Sequence, residues 1–127
     1  MKRLFLSLGL VVLAAVTVAC SSAAADAPAS AGPVDPNAPV ITAQNMAFSP
    51  KTLDVTADKA FSLTFDNKDG APHNVAIYTD SSASSPISVG EIVRGAKATQ
   101  QVPALKPGSY FFRCDVHHDM TGTITAK

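Results

Sequence analysis

Side chains that bind soft or borderline metal ions gather at two places in the sequence. In the first, a thiol (Cys114), an imidazole (His117) and a thioether (Met120) follow one another at intervals of three residues. The second place is His73, which lies far upstream after a proline. Side chains spaced in this way on a turn can point inward at one ion, and a histidine on a neighbouring strand can complete the set. The spacing therefore predicts a mononuclear metal site formed by these four residues.

The chemistry of this donor set favours copper. Two imidazoles and one thiolate in a plane, with a weak thioether on the axis, suit an ion that cycles between Cu(I) and Cu(II). Because the protein fixes the ligand positions, little needs to move when an electron arrives. Zinc competes for cysteine and histidine and could occupy the site adventitiously, but structural zinc sites seldom include methionine. We therefore expect one copper ion that accepts and donates single electrons.

Each of these residues alone also has an ordinary structural explanation. A histidine on an apolar strand face is usually a satisfied core residue, a single methionine fills a core, and a single buried cysteine is inert. The joint pattern C-x-x-H-x-x-M after an aromatic strand, with an earlier Pro-His-Asn, is much harder to explain as coincidence. His118 is expected to be an exposed residue at the rim of the site rather than a ligand.

The N-terminal segment has the layout of an export signal. Lys2 and Arg3 give it a positive start, residues 4–19 are apolar apart from three positions, and Cys20 closes the stretch. This arrangement predicts a secretory signal peptide over residues 1–19. A membrane-spanning helix is disfavoured, because it needs ~20 apolar residues and this stretch is shorter.

Cys20 is the predicted site of lipid attachment. The junction before it resembles a bacterial lipoprotein cleavage site, with the small Ala19 preceding the cysteine, although Thr17 stands where leucine is usual. Ordinary cleavage after the alanines at 23–25 is the alternative, and it would remove the cysteine altogether. If Cys20 is acylated, Cys114 has no disulfide partner, and a lone thiol in an exported protein indicates chemistry. We expect a cell-membrane lipoprotein that faces the periplasm or the cell exterior.

Beyond the signal, the chain divides into a linker and one domain. Residues 20–39 are rich in Ala, Ser and Pro and cannot bury enough surface to fold, so they predict a flexible tether. In residues 40–127 apolar side chains such as Phe61, Leu63 and Phe65 alternate with polar ones, at the period of half-buried strands. No helix is predicted. Turn residues separate about seven or eight such runs, which favours an all-β fold with two sheets packed as a sandwich.

Composition limits the classes of function that the protein can have. The 10 basic and 10 acidic side chains give no net charge, and loss of the signal leaves the exported part slightly acidic, so no basic patch for nucleic acid is expected. Copper oxidases and reductases need further histidines for additional copper ions, and the chain has only three histidines, so an enzyme is not expected. A copper carrier or buffer is the alternative function. It ranks lower, because carriers favour methionine-rich sites and only Met46 and Met120 follow the signal.

The same segments resemble a known family, the small blue-copper proteins, or cupredoxins, of the plastocyanin and amicyanin type. The residues that carry the resemblance are FSP at 48–50, APHNV at 71–75, LKPGSYFFRC at 105–114, DVH at 115–117 and MTG at 120–122. The likeness covers nearly all of the predicted domain, and the short spacing before the methionine resembles amicyanin rather than plastocyanin, whose loop is longer. It implies an eight-stranded Greek-key sandwich with copper near one end, in a monomer that exchanges electrons with redox proteins.

The resemblance also implies roles for single residues. Cys114 would be the charge-transfer thiolate, His73 the shielded imidazole, His117 the electron port and Met120 the axial ligand. Asn74 would tie the two ligand-bearing segments together by hydrogen bonding. The sequence departs from the family at two positions, because Asp115 stands where Ser or Thr is frequent and His118 where Pro is frequent. Both changes are expected to make the rim of the site more polar.

Overall fold

The computed structural model describes residues 36–127, which form two β-sheets and no helix. The nine strands of these residues span, in chain order, Val40–Gln44 (β1), Ala47–Ser49 (β2), Thr52–Val55 (β3), Phe61–Asn67 (β4), Ala76–Tyr78 (β5), Pro86–Val89 (β6), Lys97–Val102 (β7), Gly108–Arg113 (β8) and Thr121–Ala126 (β9). The fold is the all-β Greek-key sandwich that the sequence predicts, with nine strands instead of seven or eight.

The strand order explains how distant segments meet. One sheet has the order β2-β1-β4-β7 and the other β3-β9-β8-β5-β6. Strands β5 and β8 are antiparallel neighbours, with Ala76 opposite Arg113 and Ile77 opposite Phe112. The residues that precede β5 and those that follow β8 therefore lie at the same end of the sandwich. His73 belongs to the first group and Cys114 to the second.

The core lies between the two sheets and consists of aliphatic and aromatic side chains. Phe48 connects the sheets, because its ring packs against Phe65 in one sheet (centroids 6.1 Å apart) and Phe112 in the other (5.5 Å). Ile41 and Ile77 are fully buried beside them. Burial of each large side chain of this kind stabilises the fold by about 1.5–3 kcal/mol. Cys114 belongs to the same buried cluster as Phe112, so the end of the sandwich that carries Cys114 is continuous with the packed core.

Alternation of buried and exposed residues holds in some segments and fails in another. In β4, Leu63 and Phe65 are buried between more exposed neighbours, as predicted. From His73 to Tyr78, however, every residue is buried, so both faces of this segment are covered. His73 also lies outside the regular strand, because it forms an isolated antiparallel bridge with Val93 and β5 begins only at Ala76.

Several predictions concern residues before the described part of the chain. The signal peptide at 1–19, the lipidation of Cys20 and most of the linker at 20–39 lie outside residues 36–127. The first strand begins at Val40. Within the described residues, no helix has the length and apolar character needed to cross a membrane.

Candidate metal centre

Three potential ligand atoms converge at one end of the sandwich. The Sγ of Cys114 lies 3.7 Å from Nδ1 of His73 and 3.9 Å from Nδ1 of His117. The two ring nitrogens are 3.0 Å apart. His73 and Cys114 are fully buried, whereas His117 is partly exposed. Three of the four residues that the spacing selects are therefore gathered around one point, with His117 nearest the solvent.

The loop after β8 brings the backbone of Met120 back beside Cys114, the residue at which the loop begins. The N–H of Cys114 donates to the carbonyl of Met120 at 3.0 Å, and the N–H of Met120 donates to the carbonyl of His117 at 3.0 Å. These two bonds place the backbone of Met120 beside that of Cys114, and the Met120 side chain is buried in the core. The short interval between the cysteine and the methionine thus forms a closed turn between β8 and β9.

The donor atoms fit one metal ion. An ion about 2.0 Å from each nitrogen and about 2.3 Å from the sulfur would hold the three donors about 3.5–3.7 Å apart in a trigonal plane. The separations of 3.0, 3.7 and 3.9 Å lie within about half an ångström of that arrangement. Two imidazoles and a thiolate are also the equatorial donor set of blue-copper sites. Geometry and donor chemistry therefore agree with a mononuclear copper.

Asn74 connects the two segments that carry His73 and Cys114. Its Oδ1 accepts the N–H of Asp115 at 2.8 Å, and its Nδ2 donates to the carbonyl of Gly90 at 3.2 Å. The side chain is buried. Because Asn74 and Asp115 each directly follow one of the converging residues, these bonds limit how far the two segments can move apart.

Asp115 has several hydrogen-bonding partners, although its side chain is 30% exposed. The hydroxyl of Tyr78 donates to its Oδ1, and Nε of Arg113 lies 3.5 Å from the same oxygen. The amide of Asn74 lies 3.4 Å from Oδ2. The hydrogen bond to this carboxylate, together with burial, raises the pKa of Tyr78. The carboxylate therefore takes part in a network with Asn74, Tyr78 and Arg113 and stays partly exposed.

His118 does not join the three converging residues. Its side chain is exposed, and its Nε2 lies 3.1 Å from the backbone carbonyl of Asp115. The cluster of potential metal-binding side chains among the described residues consists of His73, Cys114 and His117. His118 is thus a rim residue, as expected from the sequence.

Asp69 contacts the site, and sequence reasoning missed it. Its Oδ2 lies 3.2 Å from Nε2 of His73, and its carboxylate also accepts the N–H groups of Asn45 and Met46 at 2.8 and 3.0 Å. The hydrogen bond from Met46, aided by those from Asn45 and His73, lowers the pKa of Asp69. The sequence marks the segment around Asp69 as a polar turn, but it does not show which of its polar side chains reaches the imidazole.

Comparison with known proteins gives the family. The family model described as "Cupredoxin-like domain" matches residues 10–126. The chain is 36% identical over 91 residues to the protein named "Plastocyanin minor isoform, chloroplastic" of Arabidopsis thaliana, which is 65% of this chain and 52% of that protein. The chain thus spans about half the length of this relative. The chain belongs to the cupredoxin-like family.

Solved structures show the same fold. Reduced auracyanin from the photosynthetic bacterium Roseiflexus castenholzii superposes with a TM-score of 0.63 at 21% identity, over 69% of this chain and 94% of that one. A reduced amicyanin mutant superposes with a TM-score of 0.59 at 21% identity, over 76% and 89% of the two chains. Membership of the family and the cluster of two histidines and a cysteine together support one copper ion as the cofactor.

Proposed function

We propose that the protein is a type 1 blue-copper protein that carries single electrons between redox partners outside the cytoplasm. The observation that supports this most strongly is the convergence of His73, Cys114 and His117, whose ligand atoms all lie within 4.8 Å of one another. These three residues would hold the copper together with Met120. When bound, copper would supply a Cu(I)/Cu(II) couple that accepts and returns one electron.

The surrounding residues suit a site that must not rearrange. His73 and Cys114 are fully buried, which excludes water from that side of the site. Asn74 ties their segments together, and such contacts hold ligands in a fixed orientation. Fixed ligands reduce the structural change that accompanies each electron, and fast transfer follows from that. His117 is the partly exposed member, so it offers the shortest route for an electron to the surface.

Exposed apolar side chains adjoin the site and favour docking of another protein. Val116 is 41% exposed and directly precedes His117, and Met46 is 49% exposed and belongs to the turn that contacts Asp69. Single exposed apolar residues are ordinary on a surface, but several at one end indicate an interaction site. Transient redox complexes use small interfaces of this kind. We therefore propose that donor and acceptor proteins dock at this end.

The proposal places the protein at a membrane. Cleavage of the signal at 1–19 and acylation of Cys20 would anchor it, and the linker at 20–39 would let the domain at 40–127 reach partners. Mass spectrometry of the membrane fraction tests this directly. A lipid mass on Cys20, and release of the Cys20→Ala variant from membranes, would support it, whereas a mature chain beginning after residue 25 would contradict it.

The proposal assigns no catalytic reaction. Among residues 36–127, no second group of three potential metal-binding side chains comes together, and His118 points to a backbone carbonyl instead. The described residues therefore bring together one cluster that could hold a metal ion, and this is the centre proposed to carry electrons.

Voltammetry of the copper-loaded protein in the presence of a Cu(I) chelator separates an electron carrier from a copper carrier. An electron carrier cycles reversibly many times and keeps its metal, because the ligands are buried and tied together. A copper carrier would lose the ion to the chelator soon after reduction, and that result would overturn the proposal. The Cys114→Ser variant is the control that shows whether the signal arises from this site.

A further inference from the structure

The outer nitrogen of the buried His73 imidazole has a charged partner. Nδ1 of the ring lies in the cluster with Cys114 and His117, while Nε2 lies 3.2 Å from Oδ2 of Asp69. The His73 side chain is fully buried and that of Asp69 is only 17% exposed. A carboxylate in such a position accepts the Nε2–H. The lone pair of Nδ1 then stays free on the side of the ring that faces Cys114 and His117.

The carboxylate of Asp69 is itself held by an unusual turn. Asn45 and Met46, which connect β1 and β2, both have left-handed backbone conformations, with φ of 53° and 59°. Such a conformation costs about 1–2 kcal/mol for a residue such as Met46, whereas asparagine adopts it more readily. The two consecutive N–H groups point at Oδ1 and Oδ2 of Asp69, at 2.8 and 3.0 Å. Successive N–H groups in this arrangement form a concave site for an anion, and the carboxylate occupies it.

Asn67 fixes the loop that carries Asp69. Its Oδ1 accepts the N–H of Asp69 at 2.9 Å, and its Nδ2 donates to the carbonyls of Ala71 at 2.9 Å and Val93 at 2.7 Å. Val93 in turn exchanges two backbone hydrogen bonds with His73, at 2.9 and 3.0 Å. Asp69 and His73 are therefore positioned by one connected set of bonds, at both the backbone and the side chain.

We propose that Asp69 is a positioning residue of the metal centre, which holds the proton of His73 on Nε2 and fixes the orientation of the ring. This inference rests on the proposed function of the site. The turn between β1 and β2 holds the carboxylate, the carboxylate holds the imidazole, and the imidazole presents Nδ1 to the metal. A strained backbone segment persists where its surroundings hold it, and here the surroundings include Asp69, the residue that contacts the proposed ligand.

The test compares Asp69→Ala with Asp80→Ala. Asp80 is a matched control, because its carboxylate also accepts a backbone N–H, that of Ser82 at 2.8 Å, in an exposed loop. Nitrogen-15 NMR of the metal-free protein reports which nitrogen of His73 carries the proton. We expect the Nε2–H tautomer in the wild type and in Asp80→Ala, and a mixture of tautomers in Asp69→Ala. The copper affinity of Asp69→Ala should be about 10–100-fold lower, the usual effect of removing such a partner, and we expect this loss as faster copper dissociation.

Two further variants separate positioning of the ring from support of the turn. Asp69→Asn keeps the size of the side chain and one acceptor oxygen, so its effects should be smaller than those of Asp69→Ala. Adding Asn45→Gly and Met46→Gly to Asp69→Ala relieves the turn without restoring a partner for His73. If this triple variant regains the wild-type tautomer and copper dissociation rate, Asp69 acts only through the turn and the inference is wrong.

The readouts also distinguish failure of this inference from failure of the proposed function. A wild-type protein that binds no copper would overturn the function, while the tautomer of His73 in the metal-free protein would still test Asp69. Conversely, wild-type tautomer and wild-type copper dissociation in both Asp69→Ala and Asp69→Asn would overturn the role of Asp69 and leave the copper site standing.

Discussion

The backbone N–H of Asp115 donates to Oδ1 of Asn74 at 2.8 Å, although 41 positions separate the two residues. Each of them directly follows a proposed ligand, His73 or Cys114. The amide nitrogen of Asn74 is also bonded, to the carbonyl of Gly90 at 3.2 Å, so both ends of this buried side chain have partners. The segments that carry the two ligands are therefore connected through the protein itself, independently of any metal.

Removal of the Asn74 side chain should destabilise the metal-free protein. In Asn74→Ala the partly buried N–H of Asp115 and carbonyl of Gly90 lose their partner, and we expect a loss of about 1–3 kcal/mol in the free energy of unfolding. Urea unfolding measures the difference. Gln101→Ala is a suitable control, because the amide of Gln101 bonds a hydroxyl at an exposed position. Equal stability of the two variants would contradict the structural role of Asn74.

Replacement of Gly122 by any larger residue should destabilise the fold. A Cβ at this position would collide with the ring of Phe112 and would lie 2.6 Å from the carbonyl of Lys51. Because these neighbours belong to the packed core and the backbone, Gly122→Ala should lose about 1–3 kcal/mol, as overpacked cores do. Gly70→Ala is the control, since a Cβ there meets nothing within 4 Å. Thermal unfolding that shows the same stability for both variants would refute this packing argument.

Tyr78 should contribute to stability in a pH-dependent way. Its hydrogen bond to the Asp115 carboxylate, together with burial, raises its pKa above the ordinary value of 10.0. The folded protein thus binds this proton more tightly than the unfolded chain. The contribution of Tyr78 to the free energy of unfolding is complete below about pH 10, and it is lost as the pH rises through the pKa of Tyr78 in the folded state.

Urea unfolding over the range from about pH 8 to 11 measures this effect. Tyr78→Phe should be less stable by about 1.5–3 kcal/mol at neutral pH, the usual contribution of a hydrogen bond to a charged group. Its stability should also fall less steeply above about pH 10. Tyr110→Phe is the matched control, because the Tyr110 hydroxyl bonds the backbone carbonyl of Lys106 at an exposed position. If the free energy of unfolding changed with pH in the same way in the wild type and in Tyr78→Phe, the result would argue against the raised pKa of Tyr78.

The fold was predictable because its determinants are local and repetitive. Alternation in β4 places Leu63 and Phe65 in the core, and turn residues separate the strands. The convergence of Cys114 and His117 was predictable as well, because a spacing of three residues on a turn limits how far apart their ligand atoms can lie. His73 was included because an imidazole on a neighbouring strand can complete the donor set, but nothing in its own neighbourhood shows which strand it will adjoin.

The remaining features depend on tertiary structure that sequence patterns do not encode. The turn at Asn45 and Met46 contains no glycine, and although asparagine favours such turns, the left-handed conformation of Met46 gives no sequence signal. The contact between Asp69 and His73 depends on that turn and on the bonds of Asn67. The sequence predicted that Asp115 makes the rim more polar, but it did not show which groups bond its carboxylate. Its partners are donors that β5 and β8 place beside it.

The absorption spectrum of the purified protein after addition of one equivalent of Cu(II), before and after a reductant, tests the copper site most directly. Coordination by the Cys114 thiolate predicts an intense visible charge-transfer band that bleaches on reduction, returns on reoxidation, saturates at one copper per chain and is absent from Cys114→Ser. A Cu(II) complex that is only weakly coloured, or a band that persists in Cys114→Ser, would contradict a blue-copper centre formed by His73, Cys114, His117 and Met120.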